Sequence, residues 1–252
     1  MERTFALQAT LRTERLTALI KRIRLATSKR GLGPEEFSGR WRDAVAGAAS
    51  APEPARPVRL TVSVAVREIA ADQKYDGVAL EWFTGEEHLL RYESWLRTAD
   101  GQEQVRLLSA AVDLAASPVV VSDERVVRGA DWLERRWRGG GPKLKQLAIA
   151  TRAGGLTLPE FLDRWRSRAG SIGSVPIPEA FRGLAYVQNH PRPTPGRDWA
   201  YDAVNEVYFD DAESLLARIE YFERELKDRG EDDLISANWF LAVREEPLEL
   251  PS

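Results

Sequence analysis

The sequence predicts an α+β fold in which two βαββαβ repeats close on each other as an intramolecular pseudo-dimeric α/β barrel. Three observations carry this. "GLGPEEFSGRWR" (Gly31–Arg42) returns as "GLTLPEFLDRWR" (Gly155–Arg166), 124 positions on, with Gly, Leu, Glu, Phe, Arg, Trp and Arg all in place. "YDGVALEWF" (Tyr75–Phe83) returns as "YDAVNEVYF" (Tyr201–Phe209), 126 positions on. Each Tyr-Asp stretch then enters an acidic helix start, "TGEEHLLRY" or "DDAESLLAR". Two signals in one order, with a drift of two residues, mark a tandem duplication.

Each copy reads as strand, helix, strand, strand, helix, strand. "LIKRIRLAT" (Leu19–Thr27) and "LKQLAIAT" (Leu144–Thr151) are β-leaning runs near a glycine turn. "PEEFSGRWRDAVAGA" and "PEFLDRWRSRAG" open on Pro and Glu, which suits a helix N-terminus. Phe37 and Trp41, like Phe161 and Trp165, are four apart and share a helix face, where the tryptophans anchor the core. Arg59–Ile69 and Gly183–His190 are second strands, and the Tyr-Asp stretches are third strands. "EEHLLRYESWLR" and "AESLLARIEYFERELK" are second helices, and Pro118–Val127 and Ile235–Glu246 close the units as fourth strands.

Residues 19–128 form the first repeat, 129–142 a linker and 143–252 the second repeat. Residues 1–18 are an N-terminal extension with no counterpart. The linker carries "RGGGP", and its Trp and Arg residues are expected on the surface of the first unit. The βαββαβ unit is the ferredoxin-like arrangement, with helices on one sheet face and the other face bare. Two such sheets facing each other cover both and can leave a chamber between them.

Composition narrows the function. Apolar residues make up 43%, charged residues 30%, and the net charge is −3. This balance gives no reason to expect a nucleic acid or an anionic membrane as partner. The chain has no cysteine, which excludes thiolate chemistry, and only two histidines, so no metal site is expected. "RGGGPK" lacks the strand-then-helix setting of a phosphate loop. No long apolar run stands at the start, so the expected address is the cytoplasm, as monomer or homodimer.

The motifs resemble the EthD family of dimeric α/β barrels, whose helix reads T-P-E-E-F-x-x-x-W-R-D and whose strands read Y-V-Q-N-H and Y-D-G-V-A-E-x-W-F. Here these stand at Pro34–Asp43, at Tyr186–His190 and at the two Tyr-Asp stretches, so the resemblance covers nearly all of the chain beyond Leu19. It implies a cofactor-free barrel of a catabolic, pigment or polyketide pathway. Related barrels include lactone isomerases, dehydratases or decarboxylases, cyclases and monooxygenases. The family's helix histidines are replaced, by Arg40 and Arg164 before the tryptophan and by Val45 and Ala169 after it. Haem is not expected, because Pro191 follows His190.

Alternation sorts the strand faces. Val204, Glu206 and Tyr208 are expected to face the chamber, with Ala203, Asn205, Val207 and Phe209 under the helices. Tyr186, Gln188 and His190 are placed inward too. His190 is the acid–base candidate because an imidazole titrates near neutrality. Glu206 would orient it or act as base, and Tyr208 would stabilise an enolate oxygen. Tyr186 and Gln188 would bind substrate. In the first repeat Val64, Leu80 and Trp82 would supply an apolar wall. Against this, His190 can simply end a strand, and Glu206 can sit in a structural ion pair with Arg166, Arg182 or Arg192. His88 is expected to be solvated at a helix start.

Two functions fit. One is a cofactor-independent isomerase, dehydratase or cyclase acting on an apolar cyclic or polyketide-like carbonyl compound in the barrel. The other is a non-catalytic protein that binds a hydrophobic or aromatic small molecule. A third possibility is a barrel closed by its own side chains.

Overall fold

A computed structural model of the chain describes residues 19–172, 175–194, 198–227 and 233–251; the N-terminal extension lies outside them. The elements are β1 (Ile20–Ala26), α1 (Pro34–Ala46), β2 (Arg59–Ala65), β3 (Gly77–Phe83), α2 (Glu86–Trp95), α3 (Ala99–Ala111), β4 (Val119–Arg128), α4 (Ala130–Gly139), β5 (Lys143–Arg152), α5 (Leu158–Ser167), β6 (Ser171–Ile172), β7 (Val175–Pro176), β8 (Ala185–Pro191), β9 (Ala203–Phe209), α6 (Ala212–Lys227) and β10 (Ile235–Pro247).

Eight strands close into an antiparallel barrel in the order β1-β3-β2-β10-β5-β9-β8-β4. Within it β4-β1-β3-β2 and β10-β5-β9-β8 are the same four-strand pattern used twice. The seams are β2 against β10 and β4 against β8, where Val64 opposes Arg244 and Asp123 opposes His190. Closure leaves neither sheet with an unpaired edge.

Local chemistry explains the helix starts. Thr157 and Glu160 form a reciprocal capping box before α5. Proline stands in the first turn of α1, followed by Glu35 and Glu36 beside the positive end of the helix dipole. α1 lays Phe37 and Trp41 on the sheet, and the Trp41 indole donates to the Ser63 carbonyl at 3.1 Å. That approach requires Gly77, since a Cβ there would lie 2.6 Å from the Trp41 Nε1. The second repeat has Ala203 at this place. Trp165 is only partly buried, and its indole donates to Asn205 Oδ1 at 3.3 Å.

The 129–142 stretch is not a surface strap of the first unit. It folds as α4 and buries Leu133 against Ala185, Val187 and Tyr208 of the second repeat. Trp137 meets Trp82 edge-on at 5.6 Å and lies under the Arg59 and Lys143 cations. A short run of alternating Trp, Leu and Arg with glycine at both ends concealed this helix. α3 was likewise not anticipated; Thr98 caps it. His88, expected in solvent, is buried: its Nε2 contacts the Arg56 carbonyl at 2.7 Å, and its ring lies edge-on to Phe83.

Candidate ligand-binding site

His190, Glu206 and Tyr208 do not converge. Glu206 and Tyr208 point into the barrel, as alternation predicts, but His190 stands on the opposite face with Tyr186 and Gln188. The ladder gives the reason: Gln188 opposes Asn205 and Tyr186 opposes Val207, and directly opposed residues share a face. Asn205 and Val207 are the outward set of β9, so Val187 and Asn189 take the interior. Val64 is corrected in the same way and packs against the core under the first-repeat helices. It is the counterpart of His190, because Ser63 opposes Val78 as Asn189 opposes Val204, which aligns these strands at 126 positions. Leu80 and Trp82 do face the interior.

The barrel interior is occupied by charge. Lys21 and Lys145 hold equivalent positions in β1 and β5, and both reach Glu206, at 2.6 and 2.7 Å. Lys21 also pairs with Glu124, and Lys145 with Glu245. Those glutamates are equivalent in turn, each two residues beyond the partner of its lysine, Ser122 or Val243. Glu206 has no equivalent, since its position in the first repeat is Leu80. It also accepts from Tyr208 Oη at 2.8 Å and from Asn189 Nδ2 at 2.9 Å. Burial pushes the Glu206 carboxyl up, but the Lys145 and Lys21 ammoniums outweigh it and hold the group well below the usual carboxylate range. Burial and then Glu206 drive the Tyr208 phenol far up. Lys143, also buried, lies apart from these pairs: it donates to the Gly141 carbonyl at 3.3 Å and stands over the Trp137 ring at 4.3 Å. Glu206 is therefore committed to a structural ion cluster, with lysine partners and not the arginines considered from sequence.

One pocket lies outside the second sheet, beneath α5 and α6. A cavity of about 130 Å³ is bounded by Trp165, Tyr186, Asn205, Val207, Arg218 and Phe240, among others. Its polar groups are wired in one direction. The Trp165 indole can only donate, so the Asn205 oxygen accepts from it and the Asn205 amide nitrogen donates to Tyr186 Oη at 2.9 Å. The Trp165 carbonyl can only accept, so Gln188 Nε2 faces it at 3.4 Å and also donates to Tyr186 Oη at 3.1 Å. The Tyr186 oxygen thus accepts twice, and its own proton is left for a third partner.

His190 Nε2 donates its hydrogen bond to Gln188 Oε1 at 3.2 Å. Burial first, then the Arg166 and Arg125 charges, lower the His190 pKa to about 4, so the ring is neutral at neutral pH. Tyr186, expected as a substrate contact, lines this cavity, while Gln188 and His190 support it from the side. Burial raises the Tyr186 pKa above its ordinary value, which keeps the phenol protonated. Arg218 was not anticipated, because a lone arginine in the helix "AESLLARIEYFERELK" gives no sign of burial until the sheet beneath it is known. Among the described residues, no cluster of three His, Asp or Glu side chains is placed to hold a metal ion. No helix among them is long and apolar enough to cross a membrane.

No family model and no curated protein matches the chain. Solved structures do. A candidate monooxygenase of Fusobacterium nucleatum superposes with a TM-score of 0.50 at 10% identity, over 93% of this chain and 94% of that one. A candidate monooxygenase of Lactobacillus acidophilus gives 0.43 at 10% identity, over 90% and 94%. A variant chlorite dismutase of Candidatus Nitrospira defluvii, in complex with cyanide, gives 0.46 at 8% identity, over 92% and 93%. Identities this low speak of fold alone, and that fold is an α/β barrel closed by two repeats of one strand pattern within a single polypeptide.

Proposed function

We propose that the second repeat binds an apolar small molecule in the cavity beneath α5 and α6, with Tyr186 donating a hydrogen bond to an oxygen of that ligand. The observation that carries this is the Tyr186 hydroxyl, which accepts from Asn205 and Gln188 and so has its proton free to donate. Aromatic and aliphatic walls with a few convergent polar groups are the usual make-up of a small-molecule site. At about 130 Å³ the cavity is smaller than a drug-sized pocket, which starts near ~300 Å³. It is close to the ~150 Å³ engineered cavity that accepts benzene, so a single ring is the fitting size.

A second reading adds catalysis: a cofactor-free isomerase, dehydratase or cyclase in which the Tyr186 phenol stabilises an enolate oxygen. Such a step also needs a base within reach of the reacting carbon. The described lining residues include neither carboxylate nor imidazole, so binding is the better supported of the two. A histidine-ligated haem does not fit this cavity, since neither His88 nor His190 lines it.

The test is a two-dimensional NMR titration with cyclohexanone, following the Trp165 indole resonance. The reading expects saturable shifts, affinity weakened about fivefold to tenfold by Tyr186→Phe through loss of one hydrogen bond, and binding abolished by the cavity-filling Ala148→Phe. Binding indifferent to both substitutions would reject it.

A further inference from the structure

The two repeats differ most sharply at one buried place. In the first, Arg22 of β1 pairs with Glu81 of β3, and Tyr92 of α2 donates to the same carboxylate at 3.1 Å. Cation, anion and hydroxyl fill the space between sheet and helix. The repeat offsets map Arg22 onto Gln146, Glu81 onto Val207 and Tyr92 onto Arg218. The guanidinium has thus moved from strand to helix, and its carboxylate has become a valine.

Arg218 is 6% exposed. Its Nε donates to Gln146 Oε1 at 2.6 Å, one terminal nitrogen donates to the Phe181 carbonyl, and the guanidinium lies over the Phe222 ring at 4.5 Å. All three partners are neutral. Burial lowers its pKa to about 10. Gln146 Nε2, also buried, has no acceptor. Arg128 and Arg182 line the same cavity, and their own hydrogen bonds go to backbone carbonyls. Neither aspartate nor glutamate is among the described lining residues. A buried guanidinium without a counterion is costly, and here it borders an open space.

We infer that the cavity takes a monocyclic carboxylate, whose anionic group stands against Arg218 where the first repeat carries its own Glu81. This rests on the small-molecule reading above and narrows it to a ligand class. The ring would lie among Trp165, Phe222 and Phe240, and the Tyr186 hydroxyl would donate to a carboxylate oxygen.

The test compares benzoate with its neutral isostere benzamide by calorimetry on the full chain. A charge-assisted bond predicts benzoate at least about tenfold tighter. Arg218→Met should remove that preference, and it orphans no carboxylate of the protein. Val207→Glu should also abolish benzoate binding, by restoring the internal anion of the first repeat, while the fold is retained by circular dichroism. Benzamide binding as tightly as benzoate, or benzoate binding unchanged in Arg218→Met or Val207→Glu, would overturn the carboxylate inference and leave the small-molecule site standing. If benzoate, benzamide and cyclohexanone all fail to bind, both readings fall.

Discussion

Lys21 and Lys145, equivalent residues of the two repeats, reach the two oxygens of a single carboxylate, Glu206. Glu206→Gln would leave two buried ammoniums facing each other across an amide. Breaking a buried ion cluster on one side costs about 3–5 kcal/mol, and the low end is expected because Glu124 and Glu245 remain. The held-down pKa means this stabilisation is complete above the ordinary carboxylate range and is lost progressively as pH falls through that range towards the lower folded-state value. Urea titrations should therefore show a loss near 3 kcal/mol at pH 7 that shrinks in acid. A loss of ligand affinity with stability untouched would contradict the structural role.

His190 gives a pH signature of the same sign in a higher window. Its folded-state pKa of about 4 lies below the ordinary 6.5, so the unfolded chain binds the proton first as the solution is acidified. Stability then falls as pH drops from about 6.5 towards 4. His190→Gln should flatten that part of the curve, seen as a smaller drop in Tm between pH 7 and pH 5. An imidazole resonance at position 190 titrating near 6.5 would refute the buried, neutral assignment.

Much of this architecture was legible because it is written twice. The duplicated helix and Tyr-Asp motifs gave the element order, and period-two alternation placed Glu206, Tyr208, Leu80 and Trp82 inside. The site was not legible, for two reasons. The facing of Tyr186, Gln188 and His190 depends on which β9 residue each one opposes, and that register is set by closure across both sheets rather than by the strand itself. The β1 pattern "IKRIRLA" also places charge on both faces, so Lys21 inside and Arg22 outside can be told apart only once their carboxylates are located. Those partners are 185 and 59 residues away.

Gly77 tests why one repeat is solid where the other is hollow. A methyl group there would press on the Trp41 indole and on the Ser63 carbonyl, 2.8 Å away. Gly77→Ala should cost about 1–3 kcal/mol, as overpacking does, measured by thermal unfolding. Ala203→Gly, at the matching site beside the half-buried Trp165, meets no such clash and should cost less than about 1 kcal/mol. Equal costs would mean that the two tryptophans are held alike.

The two repeats also meet through Tyr75 and Tyr201, equivalent residues whose hydroxyls bond each other, with the rings edge-on at 6.3 Å. Both are buried, and Lys74 lies over the Tyr201 ring at 5.4 Å. Burial, and then the bond to Tyr201, push the Tyr75 phenol up, so its proton stays on; of the two hydroxyls one donates to the other. Removing one hydroxyl strands its partner, so Tyr75→Phe or Tyr201→Phe should each cost about 1–3 kcal/mol. Removing both deletes the pair without leaving an orphan, so the double variant should be less destabilised than the sum of the singles. The shortfall, about 1 kcal/mol or more in a double-mutant cycle by urea denaturation, measures how tightly this contact couples the halves. Additive losses would show that the two tyrosines stand independently.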